Sequence, residues 1–126
     1  MKTVINTTNA PEPIGPYNQA IIAGGLIFVS GQIPLDHTTG NLITNDVTAA
    51  TKLVLNHIKS ILYAAGADFS HIVKTSIFLK DMGDFAKVNE VYGTYFTTDF
   101  PARETVQVAA LPKGVQVEIS VIAVKP

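Results

Sequence analysis

The stretch FPARETVQV, residues 100–108, holds the only arginine of the chain, Arg103; the other eight cationic side chains are lysines. A guanidinium presents two parallel N–H donors in one plane, which a carboxylate accepts bidentately and a lysine ammonium does not reproduce. Further on, VQVEISVIAV (115–124) sets a single carboxylate, Glu118, in an apolar run. Two readings follow from this pairing, and the pattern leaves both open. Arg103 and Glu118 form a structural ion pair, or Arg103 holds a small carboxylate ligand while Glu118 acts as a general base or orients a water.

The other polar residues carry weaker signals. His37, His57 and His71 lack the His-x-x-x-His spacing of a metal site, so no metal is expected. His57 falls within a helical pattern and is expected to be partly exposed. Ser30 has no G-x-S-x-G elbow around it, and neither a P-loop nor a G-x-G-x-x-G motif occurs, so there is no case for a serine nucleophile or a nucleotide. Asn6-Thr7-Thr8 matches a glycosylation sequon by chance. Tyr17 and Asn89 are possible ligand contacts, although each alone is more often structural.

The elements that must position these side chains can be read from periodicity. Short strands are expected at Val4-Ile5, 19–23 and 26–31, the last two joined by a Gly24-Gly25 hairpin turn. NAPEPIGPYNQ, with three prolines, is an extended irregular loop. Asn45 or Asp46 caps a first helix in which Val47, Ala50, Val54, Ile58, Ile61, Leu62 and Ala65 recur at helical spacing before Gly66. Residues 71–80 form an interior strand. A second helix opens at Asp84, with Phe85, Val88, Tyr92 and Tyr95 or Phe96 on one face. Two last strands, 104–110 and 115–124, flank LPKG.

The order βββαβαββ is most simply an α+β fold, with one sheet and both helices on a single face. Alternation along the last strands groups Arg103, Thr105 and Gln107 on one face, and Glu118 with Gln116, Ser120 and Ile122 on one face of the other. A hairpin across LPKG would pair position 103 with 122 and 107 with 118. That register separates Arg103 from Glu118 by on the order of 14 Å, too far for a direct bond but open to a small ligand between them.

Composition narrows the classes further. A chain of 126 residues is expected to be one domain, spanning 1–126. Charged residues make up only 15% and hydrophobic residues 47%, which points to surface hidden in a homo-oligomer. The net charge of −1 and the lack of a basic run argue against nucleic acid or anionic membranes as partners. Cysteine is absent, which excludes disulfides and thiolate chemistry and fits a reducing compartment. The longest apolar run, AIIAGGLIFV, is too short to span a bilayer, and the amino terminus has no signal-peptide pattern. A cytoplasmic protein is expected.

Taken in order, IGPYNQA (14–20), VSGQIP (29–34), IVKTSIFLKDMGDFAKVNEVY (72–92), FPAR (100–103) and LPKGVQVEISVIAV (111–124) resemble the Rid (YjgF) family. The match is closest to its RidA subfamily of reactive intermediate deaminases, and it covers nearly the whole chain. The resemblance implies a chorismate-mutase-like fold and a homotrimer with three clefts between subunits. It also implies cofactor-free hydrolysis of 2-enamino or 2-imino acids, such as 2-aminoacrylate, to 2-oxo acids and ammonia, a form of metabolite damage control. By position in the motifs, Arg103 corresponds to the carboxylate-binding arginine and Glu118 to the glutamate that positions water. Tyr17, Ser30, Gly31 and Asn89 fall on cleft positions.

The chain departs from the subfamily after the arginine, where serine and cysteine are common and Glu104 and Thr105 stand here. Thr105 keeps a hydroxyl on the Arg103 face. Glu104 alternates to the other face, yet a carboxylate beside Arg103 would weaken the binding of an anionic substrate. The segment from Asn89 to Arg103 is also shorter than in common bacterial members. The main alternative function is a non-catalytic binding protein that senses a small carboxylate metabolite at the Arg103 cleft. Glu118, which a pure carboxylate binder would not need, favours the enzyme. Chorismate mutase, suggested by fold analogy alone, would want several cations for its dicarboxylate substrate.

Overall fold

The local signals near the amino terminus decide the first hairpin. Gly24 and Gly25 adopt φ values of 59° and 77°, the left-handed pair that a two-residue turn between twisted strands requires. They join β2 (Ala20–Ala23) to β3 (Leu26–Gln32), with Ala23 opposite Leu26. β1 (Thr3–Ile5) pairs antiparallel to β2 and makes one edge of the sheet. The computed structural model describes residues 1–126.

Helix α1 (Val47–Ala64) begins where Asp46 accepts a hydrogen bond from the Ala49 N–H at 3.1 Å, and it stops before Gly66, whose φ of 81° reverses the chain. Its buried stripe includes Val47, Ala50, Val54, Ile58, Ile61 and Leu62. Helix α2 (Phe85–Gly93) is shorter than the apolar pattern suggests. Tyr95 and Phe96 lie beyond its end but still pack inward, with Phe96 tilted against Tyr92 and edge-on to Phe69. No helix is long and apolar enough to cross a membrane.

The remaining strands are β4 (Ile72–Leu79), β5 (Ala102–Gln107) and β6 (Val117–Val124). All six form one sheet in the order β1-β2-β3-β6-β4-β5. The hairpin expected across LPKG does not form. The segment from 108 to 116 instead carries β6 past β5 and β4 into the slot between β3 and β4, antiparallel to both. β5 pairs parallel to β4 at the opposite edge, reached through the α2 crossover. The hydrophobicity of the two strands explains the exchange. In β6 the residues Val117, Ile119, Val121 and Ala123 are all buried, as a central strand demands, whereas β5 leaves most of its residues in contact with water.

Both helices cover one face of the sheet, as the α+β reading expects. That face contributes Ile27, Val29, Ile77, Leu79 and the four apolar residues of β6 to a single core with α1 and α2. The opposite face has no cover within the chain. Phe28, Val106 and Val124 stand there 41–42% exposed, beside Phe78 and Ile122.

Two polar residues are more deeply placed than their types suggest. His57 is 2% exposed rather than partly open, because its Nε2 meets the Leu35 carbonyl at 2.7 Å. Burial pushes its imidazole toward the neutral form, and His37 lies edge-on beside it. Gln19 is equally buried and ties the proline-rich loop together. Its amide donates to the carbonyls of Thr7, Ala10 and Pro11, and its Oε1 accepts from the Thr7 N–H at 2.7 Å. Asn6 is held in the same knot, through Asn18 and the Gln19 N–H.

Candidate active site

Strand register decides which of the singled-out residues can meet. Arg103 sits opposite Thr75 on β4, and Thr75 sits opposite Val121 on β6. Thr75 and Val121 are both core-facing, so the Arg103 side chain leaves the sheet on the helix-covered face. Glu118 is in register with Phe78 and hence with Val106, on the uncovered face. Arg103 and Glu118 are therefore two strands apart, three rows out of step and on opposite faces. The backbone separation stays about the 14 Å expected from a hairpin, but the two side chains now leave opposite faces, so no single cleft of one chain contains both. The intramolecular ion pair is thereby excluded.

On the helix side, the edge position of β5 lets Arg103 reach under α2. Its Cζ lies 4.8 Å from the centroid of Tyr92 and 5.8 Å from that of Phe85. Tyr92 is pinned in turn by a hydrogen bond from its hydroxyl to Thr75 Oγ1 at 3.0 Å. Two aromatic rings thus support the cation without using its N–H donors. The lysine–carboxylate ion pair of the chain lies elsewhere, Lys74 with Glu104, and His71 Nδ1 accepts from the Asp68 N–H. Arg103 shares a groove of about 380 Å³ with Asn89, Tyr92, Gly93, Phe100 and Pro101. Thr105, two residues along the same face, has a buried Oγ1 without a hydrogen-bond partner.

On the other side, a second group assembles around Glu118. A Cβ placed on Gly31 would lie 2.5 Å from Glu118 Oε2, so only glycine lets β3 pass this close to the carboxylate. Burial raises the Glu118 pKa above its ordinary value of 4.5. Tyr17 and Gly31 line one small groove with Gln19 and Gln32. Ser30 fastens that loop to the sheet by donating its Oγ–H to the Asn18 carbonyl at 2.7 Å, while its N–H donates to the Gln19 carbonyl.

The seven residues thus fall into two half-sites, Arg103, Asn89 and Thr105 on one and Glu118, Gly31, Ser30 and Tyr17 on the other. The carboxylate that seemed to threaten Arg103 is elsewhere. Glu104 faces the uncovered side, where Lys74 Nζ at 2.7 Å and the Ser76 hydroxyl hold its pKa below the usual carboxylate range. Sequence reading missed the ring support from Phe85 and Tyr92 and the groove residues Gly93 and Phe100. Phe85 and Tyr92 share the apolar stripe of α2, a pattern that core packing accounts for equally well.

The fold is an α+β sheet with one bare face, and its candidate polar residues gather in two separate groups. Residues 7–125 match the family described as Endoribonuclease L-PSP. A RutC family protein of Pyrococcus horikoshii is 53% identical over 125 residues, 99% of each chain. A 2-iminobutanoate/2-iminopropanoate deaminase of Mus musculus is 49% identical, over 99% of this chain and 93% of the mouse protein. A crystal structure of a Rid-family protein from Yersinia pestis superposes with a TM-score of 0.96 at 50% identity, covering 98% of this chain and 99% of that one. The chain belongs to this family, the Rid (YjgF) family.

Proposed function

We propose that this chain is a 2-iminobutanoate/2-iminopropanoate deaminase, which hydrolyses reactive 2-enamino and 2-imino acids to 2-oxo acids and ammonia without a cofactor. The observation that carries the reading is Arg103, an arginine with aromatic support and no partner in its own chain. A guanidinium kept free in this way is suited to a carboxylate substrate. The identity to a deaminase from mouse supports the same assignment.

The site is completed between neighbouring copies in a homotrimer. Arg103, Asn89 and Thr105 come from one subunit, and Tyr17, Ser30, Gly31 and Glu118 from the next. The split of these residues across the two faces of the sheet favours this division, as does the apolar uncovered face.

An enamine first tautomerises, a proton adding to its terminal carbon and leaving nitrogen, to give the imine. Arg103 holds the carboxylate so that C2 faces a water beside Glu118. The water oxygen bonds to C2 while Glu118 takes its proton, and the imine nitrogen, protonated, accepts the C=N electron pair. Glu118 returns its proton to nitrogen. As the C–N bond then breaks and ammonia leaves, the hydroxyl on C2 gives its own proton to the freed Glu118 carboxylate and the C2–O bond becomes a carbonyl. Release of that proton to solvent balances the one the imine nitrogen took up. A raised pKa suits a carboxyl that must take and return one proton near neutrality. Orientation does the rest, which is enough for a substrate that already hydrolyses slowly in water.

The test couples a serine/threonine dehydratase to 2-oxo acid formation. Wild type is expected to speed imine decay and Arg103→Ala to lose that gain. An inert wild type would leave the carboxylate-sensing reading, in which the same cleft binds but does not hydrolyse.

A further inference from the structure

One buried titratable side chain takes no part in the proposed reaction. His57 lies on the buried stripe of α1 at 2% exposure, and burial pushes its imidazole toward the neutral form. A carbonyl oxygen only accepts, so the Nε2 that meets the Leu35 carbonyl at 2.7 Å is the ring nitrogen that carries the proton. An aliphatic residue would fill the same place without burying a polar ring. What the imidazole adds is this bond.

The bond reaches from α1 to an irregular segment, residues 33–43, which follows β3. Within it Leu35 bridges to Leu42, the Asp36 N–H donates to the Asn41 carbonyl, and the Ile43 N–H donates to the Pro34 carbonyl. Asp36 also accepts from the Thr38 N–H and hydroxyl at the tip. All of these close inside the segment, so the His57 bond is the one hydrogen bond that ties it to the rest of the fold. His37, carried on the same segment, packs edge-on against the His57 ring at a centroid distance of 5.6 Å.

What the segment holds in place is the surroundings of Glu118. Leu35 is a wall of the groove shared by Tyr17 and Gly31. Gly31, just upstream of the segment, is where β3 passes so near Glu118 that a Cβ would lie 2.5 Å from its Oε2. The groove beside Arg103 shares no residue with this segment. We infer that His57 is a positioning residue for the Glu118 group: its bond to Leu35 fixes the segment that sets Tyr17 and Gly31 against the carboxylate, and so aligns the water that Glu118 activates. This rests on the deaminase reading and adds to it a residue that touches no substrate atom.

The test separates the hydrogen bond from the bulk of the ring. His57→Leu and His57→Met fill the site without a donor, whereas His57→Gln places an N–H at nearly the same reach. The substrate is the imine that an amino acid oxidase releases from alanine, with semicarbazide trapping in competition. Rates are taken per folded protein, well below the Tm of each variant. In the two donor-free variants kcat should fall about tenfold or more while KM stays within about twofold, the pattern of a displaced water rather than a lost carboxylate contact. His57→Gln should recover most of the lost kcat. A wild-type kcat in both donor-free variants, with only Tm lowered, would make His57 a structural residue and overturn the inference. So would a His57→Gln as slow as His57→Leu, or a loss confined to KM. In each of these cases wild type still hydrolyses the imine and the deaminase reading stands. If wild type accelerates no imine, both fall together.

Discussion

At the scale of single residues, the chain separates its charges. Arg103 rests on Tyr92 and Phe85, while Glu104, its neighbour in sequence, is turned through the sheet to Lys74 and Ser76. Alternation along one strand is enough to keep the carboxylate next in sequence off the guanidinium. Glu118 has the opposite problem, a half-buried carboxyl with a raised pKa. Its folded-state value exceeds its unfolded one, so the fold disfavours the ionised form. Stability is lost as pH rises from the unfolded value through the folded one, and the loss persists at neutral pH. Below the unfolded value, near 4.5, the carboxyl is neutral in both states and the loss disappears. Glu118→Gln should therefore raise Tm at neutral pH while abolishing imine hydrolysis. The gain in Tm should shrink as the buffer is acidified, and a Tm gain that is constant with pH would point to packing instead.

At the scale of elements, the site depends on close strand passage. β3 can lie against Glu118 only because position 31 has no side chain. In Gly31→Ala the added Cβ would meet the end of a flexible carboxylate rather than backbone, so Glu118 swings aside and the fold survives. The expected outcome is a kcat reduced by about tenfold or more, as for a displaced general base, with a Tm near that of wild type. A large Tm loss instead would place the strain in the strands.

The same elements show how much was legible in the sequence. The Gly24-Gly25 turn, the Asp46 cap and the Gly66 stop are local, and each was readable because a specific residue type meets a specific backbone need. The β5–β6 pairing was misread because neighbours in sequence usually pair in the sheet. Here the buried alternation of β6 claims a central slot and the more polar β5 is left at the edge. That single exchange moved Arg103 and Glu118 to opposite faces, so their residue types were visible in the sequence while their grouping was not. His57 and Gln19 were opaque for a related reason. Their burial is offset by carbonyls from distant loops, a partnership no local pattern reveals.

At the scale of the whole molecule, the proposed homotrimer would both cover the bare sheet face and join the two groups of polar residues. Phe28, Val106 and Val124 put apolar side chains on the open sheet face of a chain with only 15% charged residues. In the homotrimer proposed above, Glu118 of one subunit would meet Arg103 of another. In a closed ring, each site then takes one half from each of two copies.

This division is tested most directly by subunit mixing. Arg103→Ala and Glu118→Gln are each inactive alone in this account. Unfolded together and refolded in equal amounts, they should regain about one quarter of wild-type deaminase activity, because a ring of random composition completes that fraction of its clefts from two intact halves. Refolding each variant separately provides the baseline. Recovery near that fraction would establish a site shared between copies, whereas a mixture as inactive as its parents would contradict it and return both residues to a single chain.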